Sequence, residues 1–260
     1  MGGRNSAFFF GLNCVVLPIM KKFINARQRN VCAPNLFCAF ISVCLFLFSA
    51  RVFSQINLNF AWYFNHSRIQ LADLPFKTMN SDSLAFESLK CYVSKIVFLQ
   101  DDKVVYAENN SFHLLDAANV ESLKINLACK SPFNKIRFTL GVDSITNVSG
   151  AMGGDLDPSK GMYWAWQSGY INVKMEGKSL ACKNPQKAFQ FHLGGYAYPY
   201  SNAKVITLAS THKPEQNIMI QLAEWYKYFE LQKFDHIMSP SSQAQKMTLA
   251  FSNCFQISAP

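Results

Sequence analysis

The sequence predicts an all-β protein, an antiparallel β-sandwich of the immunoglobulin-like kind with a short C-terminal helix. Ten runs of strand character follow residue 55, at 56–64, 89–100, 104–107, 112–115, 122–127, 135–140, 163–175, 188–193, 203–208 and 218–222. Turn chemistry separates them and little helical periodicity lies between, which is the pattern of sheets packed on sheets. The close of the chain departs from it, with Ala244, Met247, Phe251, Cys254 and Phe255 at helical spacing.

Taken in order, Asp101-Asp102 ends the second run and Asn109-Asn110 the third. Lys130-Ser131-Pro132 follows the fifth, Lys183-Asn184-Pro185 precedes the eighth, and Tyr198-Pro199 precedes the ninth. The seventh run is the most unusual: Gly161-Met162-Tyr163-Trp164-Ala165-Trp166-Gln167-Ser168-Gly169-Tyr170. Residues two apart on a strand share a face, so Trp164 and Trp166 are expected on one side of a sheet, with Tyr163, Ala165 and Gln167 on the other. Gly169 reads as a bulge or a close backbone approach. Beyond it Ile171, Val173 and Met175 alternate with Asn172, Lys174 and Glu176, one face apolar and one wet. A core strand needs aliphatic residues and seldom two indoles side by side, so chemistry is sought here first. In the final helix, Ser239 is expected to cap and Pro240 to take the first position, with the helix lying across one end of the sandwich.

Ahead of the strands, residues 1–54 hold six Lys or Arg and no Asp or Glu. Within them residues 36–48 form an apolar run of thirteen. That length suits a signal-peptide core and is short of the about 20 residues a membrane span needs. Val52 and Ser54 supply small residues for cleavage before Gln55, and Met20-Lys21-Lys22 reads as an ordinary bacterial start, which makes residues 1–19 an over-extended N-terminus. Cys44 is preceded by Val43 rather than a small residue, against a lipid anchor. The expectation is an exported protein, periplasmic or at the cell surface, with membrane contact only through its signal. The full chain carries +9, but residues 55–260 keep 19 basic against 16 acidic residues, or +3. The basic charge is mostly targeting signal, and no Lys/Arg cluster is left to suggest nucleic acid. The remaining 206 residues suit a single domain, with no internal repeat or dividing linker.

Export places Cys91, Cys129, Cys182 and Cys254 in an oxidising compartment with three pairings open. Cys129 and Cys182 each close an apparent strand and are followed by Lys, so a disulfide is expected between them, while Cys91 and Cys254 read as buried thiols. No C-x-x-C, Gly-x-Ser-x-Gly, His-Glu-x-x-His or glycine-rich phosphate loop is present, so an enzyme is not expected. Asp155-Leu156-Asp157-Pro158-Ser159-Lys160-Gly161 has oxygen ligands at alternate positions. Its glycine is one place late for a calcium loop, though, and Trp166 stands where a closing Glu belongs. Asx-type turns are expected there instead. Among the histidines, His192 lies on a strand beside Gly194-Gly195 and suits copper or nickel. His66 reads as a turn residue, His212 as part of a polar loop, and His236 with Met238 as a weak soft-metal pair. Spacing by itself gives none of them a metal.

Four segments together carry a resemblance: Phe138-Thr139-Leu140-Gly141-Val142-Asp143, Gly154-Asp155-Leu156-Asp157-Pro158, the Met162-to-Tyr170 aromatic run, and Phe191-His192-Leu193-Gly194-Gly195. With Tyr92-Val93-Ser94 upstream, they resemble the MbnP-like family of exported proteins associated with methanobactin genes. The resemblance implies a β-sandwich that binds copper. It also implies a partner, a di-haem enzyme related to cytochrome c peroxidase and to the tryptophan-modifying enzyme of methylamine dehydrogenase, which oxidises a tryptophan to kynurenine. On that basis Trp164 or Trp166 is the modified residue, His192 the first metal ligand, and His66 and His113 weaker ones. Related members often carry a histidine about where Trp62 stands here, a departure that bears on the ligand set. The alternative is a non-metal surface or periplasmic module whose aromatic face binds a protein or glycan.

Overall fold

The computed structural model describes residues 55–71, 76–77, 83–166, 169–210, 213–227 and 229–258. The signal segment 1–54, with its start at Met20 and its cleavage motif, lies outside them, as do Gln167, Ser168 and His212.

The strands run β1 (Gln55–Phe64), β2 (Ser67–Arg68), β3 (Phe76–Lys77), β4 (Ser83–Gln100), β5 (Lys103–Ala107) and β6 (Phe112–Asp116). They continue as β7 (Lys124–Ala128), β8 (Lys135–Leu140), β9 (Tyr163–Trp164), β10 (Gly169–Ser179) and β11 (Ala188–Gly194). The last are β12 (Lys204–Ala209), β13 (Glu215–Gln221), β14 (His236–Ile237) and β15 (Phe255–Ile257). Three short α-helices interrupt them: α1 (Ser144–Val148), α2 (Leu222–Tyr226) and α3 (Ser242–Ser252).

The smaller sheet has the order β15-β13-β1-β2, with β7 also on β1. The larger has the order β12-β8-β4-β10-β11-β14, and the long β4 additionally takes β3, β5 and β6. Alternation in sequence becomes alternation in burial. Along β1, Leu58, Phe60, Trp62 and Phe64 point inward while Asn57, Asn59, Ala61 and Tyr63 are the half-buried outer set. β8 repeats the pattern with Ile136, Phe138 and Leu140. The inner faces meet through Phe60 against Phe138 (6.1 Å, edge-on) and Phe138 against Phe255 (5.5 Å). This is a β-sandwich. Among the described residues no helix is long and apolar enough to cross a membrane.

Three expectations change. The sheets are mixed, because β1 pairs parallel with β13 and β11 pairs parallel with β14, and the rest is antiparallel. The parallel partners are far apart in sequence, so no hairpin dictates their direction. The closing helix is capped by Ser241, whose hydroxyl accepts from the Ala244 amide at 3.1 Å, and not by Ser239. Ala244, Met247 and Phe251 are its buried face, Trp62 stacks on Phe251 (6.1 Å), and Cys254 and Phe255 lie beyond the helix, though still buried. The Cys129–Cys182 disulfide is not made: Cys91, Cys129, Cys182 and Cys254 are all buried thiols. Each packs into the main core as a small apolar group. The Cys129 thiol donates to the Ser131 carbonyl at 3.3 Å.

Candidate functional site

The seventh predicted strand is in fact a hairpin. β9 is two residues long, the chain turns at Ala165-Trp166, and it returns as β10 with Gly169 opposite Trp164 and Tyr170 opposite Tyr163. The indoles therefore do not share a strand face. Trp164 is 5% exposed and Trp166 67% exposed, yet their rings still meet, with centroids 5.8 Å apart and planes tilted by 45°. The turn brings together what same-face alternation was expected to bring together.

A second, smaller core forms on the outer face of the large sheet and seats this hairpin. Tyr92, Leu114, Leu156, Met162, Trp164 and Tyr170 are among its members. Tyr170 packs edge-on against Tyr92 (5.9 Å) and Tyr163 (5.0 Å). The Tyr170 hydroxyl accepts from the Met152 amide (2.9 Å) and donates to the Gly150 carbonyl (3.3 Å). The Tyr92 hydroxyl donates to the Asp155 carbonyl (3.0 Å), and burial pushes its phenol pKa up. Two glycines leave room for the rings. A Cβ at Gly194 would lie 2.7 Å from Trp164 Cζ3, and one at Gly169 would lie 3.0 Å from Tyr196 Cε1. The close backbone approach expected at Gly169 is thus present.

The segment before the hairpin is built from turns. The Asp155 carboxylate accepts from the Leu114 amide (3.0 Å) and pairs with the Lys160 ammonium. The Asp157 carboxylate accepts from the Ser159 amide (2.8 Å), an Asx turn, and Gly161 closes the 3₁₀ turn with φ 72°. Both carboxylates are thereby committed to holding the loop.

His192, on β11 opposite Lys174, has a side chain 8% exposed and shares a hydrogen bond with Glu176 Oε1 at 2.7 Å. Lys174 Nζ lies 3.4 Å from the same oxygen. The His192 hydrogen bond holds the Glu176 carboxyl below its ordinary range, reinforced by the charge of Lys174, against the opposing effect of burial. His192 and Gly194 are two apart on β11, where the register irregularity puts the extra residue on β10 between Ile171 and Val173, so the two face the same way. The imidazole therefore stands one strand step, about 7 Å along the chain, from the backbone that Trp164 covers.

The other histidines are not gathered here. His113, on β6, is held by both Glu108 oxygens (3.0 and 2.9 Å), and Ser111 donates to the same carboxylate. His66 is exposed in the turn between β1 and β2, and His236 is exposed on β14. Among the described residues no three of His, Cys, Asp and Glu converge on a metal-sized site. Trp62, the place of the departure, lies in the interior between the sheets.

Sequence reasoning missed Glu176, Gly194 and Asn202. The Asn202 amide donates to the Gly194 carbonyl (3.3 Å), while its own Oδ1 and the Trp164 Nε1 are both buried without a partner. An unpaired donor and an unpaired acceptor thus flank one glycine. Exposed Ile145, Val148 and Met152 lie near the hairpin, joined to it through Asn147 Oδ1, which accepts from the Tyr170 amide at 2.7 Å, and through the Met152 amide.

A family model described as MbnP matches residues 53–243. Among solved structures, MbnP from Methylosinus trichosporium is similar, with a TM-score of 0.53 at 15% identity, over 72% of this chain and 82% of that one. No curated protein matches the sequence.

Proposed function

The chain belongs to the MbnP family, and on that premise we propose that it is an exported, non-enzymatic protein whose tryptophan hairpin is oxidised by a di-haem partner and then contributes to holding copper. One observation carries the reading: an exposed indole touches a buried indole that packs over Gly194, two residues along β11 from His192. Oxidation by a partner that stays outside the fold needs an aromatic ring at the surface, and Trp166 offers one. Trp164, in ring contact with it, covers Gly194, two residues from His192. Oxidative cleavage of the Trp164 C2–C3 bond by the partner, with two equivalents of peroxide supplying the oxygens and hydrolysis releasing C2 as formate, would leave an arylamine near that imidazole, and nitrogen donors of this kind suit copper.

Among the described residues His192 is held by Glu176 and no three of His, Cys, Asp and Glu converge. Copper binding is therefore proposed to depend on the oxidation, and His66 and His113 take no part in it. Intact mass of the protein from its native host, with metal analysis of the same sample, tests the reading. The expected result is a species that has lost one carbon and gained one oxygen, with copper bound, and peptide mapping then places the change at Trp164. An unmodified mass without copper sinks it.

A second reading rests on the exposed apolar residues Ile145, Val148 and Met152, in the segment that Asn147 and the Met152 amide tie to Tyr170. They suit a metal-free module that binds another protein or a glycan. That reading requires an unmodified tryptophan and loss of ligand when Trp166 is replaced by alanine.

A further inference from the structure

On the smaller sheet's side of the molecule, beside β1 and the connection from β6 to β7, the surface sinks into a cleft of about 540 Å³. Volumes of roughly 300–1,000 Å³ with apolar walls and few polar groups are typical of small-molecule sites. Here the apolar walls are Trp62, Ile69, Leu71, Ala117, Val120 and Leu123, and the polar side chains are Gln70 and the cation Arg68 on β2.

Two donors at this cleft lack acceptors. The exposed Arg68 guanidinium has no ion pair or hydrogen bond among the described residues. Among the described residues, the carboxylates next in sequence to the lining are engaged elsewhere, Asp116 by Lys90 (2.9 Å) and the Ala118 amide (2.9 Å), and Glu121 by Lys124 (3.0 Å). The Trp62 indole N–H is buried without a partner. Buried indole N–H groups ordinarily find an acceptor. In this protein Trp225 does so, donating to the Met247 carbonyl at 2.9 Å.

An exposed guanidinium with no counter-charge among the described residues, lining a largely apolar cleft, selects for a ligand with an anionic head and an apolar body. We propose that this cleft binds a small amphiphilic carboxylate, its head on Arg68 and its chain against Ile69, Leu71 and Leu123. The planar guanidinium fits a carboxylate in a two-pronged contact that a lysine ammonium cannot reproduce. The site is separate from the tryptophan hairpin and does not depend on copper or on oxidation.

Titration calorimetry of the purified protein with decanoate, and with decanol as its neutral counterpart, tests this. Decanoate is expected to bind saturably at one site and to weaken by about tenfold or more in Arg68→Met, the scale of one charge-assisted contact. Arg68→Lys is expected to keep part of that binding, and decanol to bind wild type and Arg68→Met alike. Arg68 is exposed, so neither substitution threatens the fold. Absence of saturable decanoate binding, or equal binding by wild type and Arg68→Met, overturns the proposal.

Discussion

Gly194 shows how one hydrogen in place of a methyl group sets the site. A side chain there would press 2.6 Å from the Tyr170 carbonyl and 2.7 Å from the Trp164 ring, and the carbonyl is backbone that cannot step aside. Gly194→Ala is expected to cost about 1–3 kcal/mol by overpacking, read by denaturant unfolding, with a shift in tryptophan emission as Trp164 leaves its seat. An unchanged midpoint would show that the seat is soft. Glu176 gives a second expectation at this scale. Its carboxyl is held below the usual range chiefly by the His192 hydrogen bond, so its ionised form stabilises the fold above the unfolded value and that contribution is lost as pH falls through the lower, folded value. As pH falls from near neutral into the acid range, wild type is expected to lose more stability than Glu176→Gln. Parallel unfolding curves for the two proteins would deny the coupling. The sequence displays both Glu176 and His192 on wet faces of their strands, but not that the β10–β11 register sets them within reach of each other.

At the scale of elements, the turn segment ahead of the hairpin decides where the indoles stand. Asp155 joins it to β6 through the Leu114 amide, and Tyr92 on β4 holds it through the Asp155 carbonyl. Asp155→Ala strands the buried Leu114 N–H, at a cost of about 1–3 kcal/mol. Amide exchange is expected to rise first in residues 153–164, and a uniform rise across the domain would count against a local role. Strand β1 and strand β8 were legible from alternation alone because one face of each is buried. The run from 163 to 175 was not: its alternating pattern is the same whether the chain runs straight or folds back, and only the closing contacts between Gly169 and Trp164 distinguish the two. The cap of α3 likewise fell to Ser241 rather than Ser239, because capping is decided by which hydroxyl reaches a free amide.

At the scale of the whole molecule, the core of the described residues holds together without a cross-link. Burial pushes the Cys254 thiol up to about 12 and raises Cys91 as well, so neither is a ready thiolate. A reductant is expected to shift the thermal midpoint by less than about 1 °C, whereas losing a disulfide worth about 2–4 kcal/mol would lower it by several degrees. A large drop would restore the Cys129–Cys182 bridge. Sequence alone determined the all-β character, the inward residues of the regular strands and the segments that mark the family, because alternation, turn residues and motif order are local properties of the chain. Tertiary structure alone decided the parallel pairing of β1 with β13, the fate of the cysteines, the reversal between Trp164 and Trp166, and the union of His192 with Glu176. Those depend on which distant segments come to lie side by side, and the energy that chooses among them comes from burying faces that the chain carries far apart.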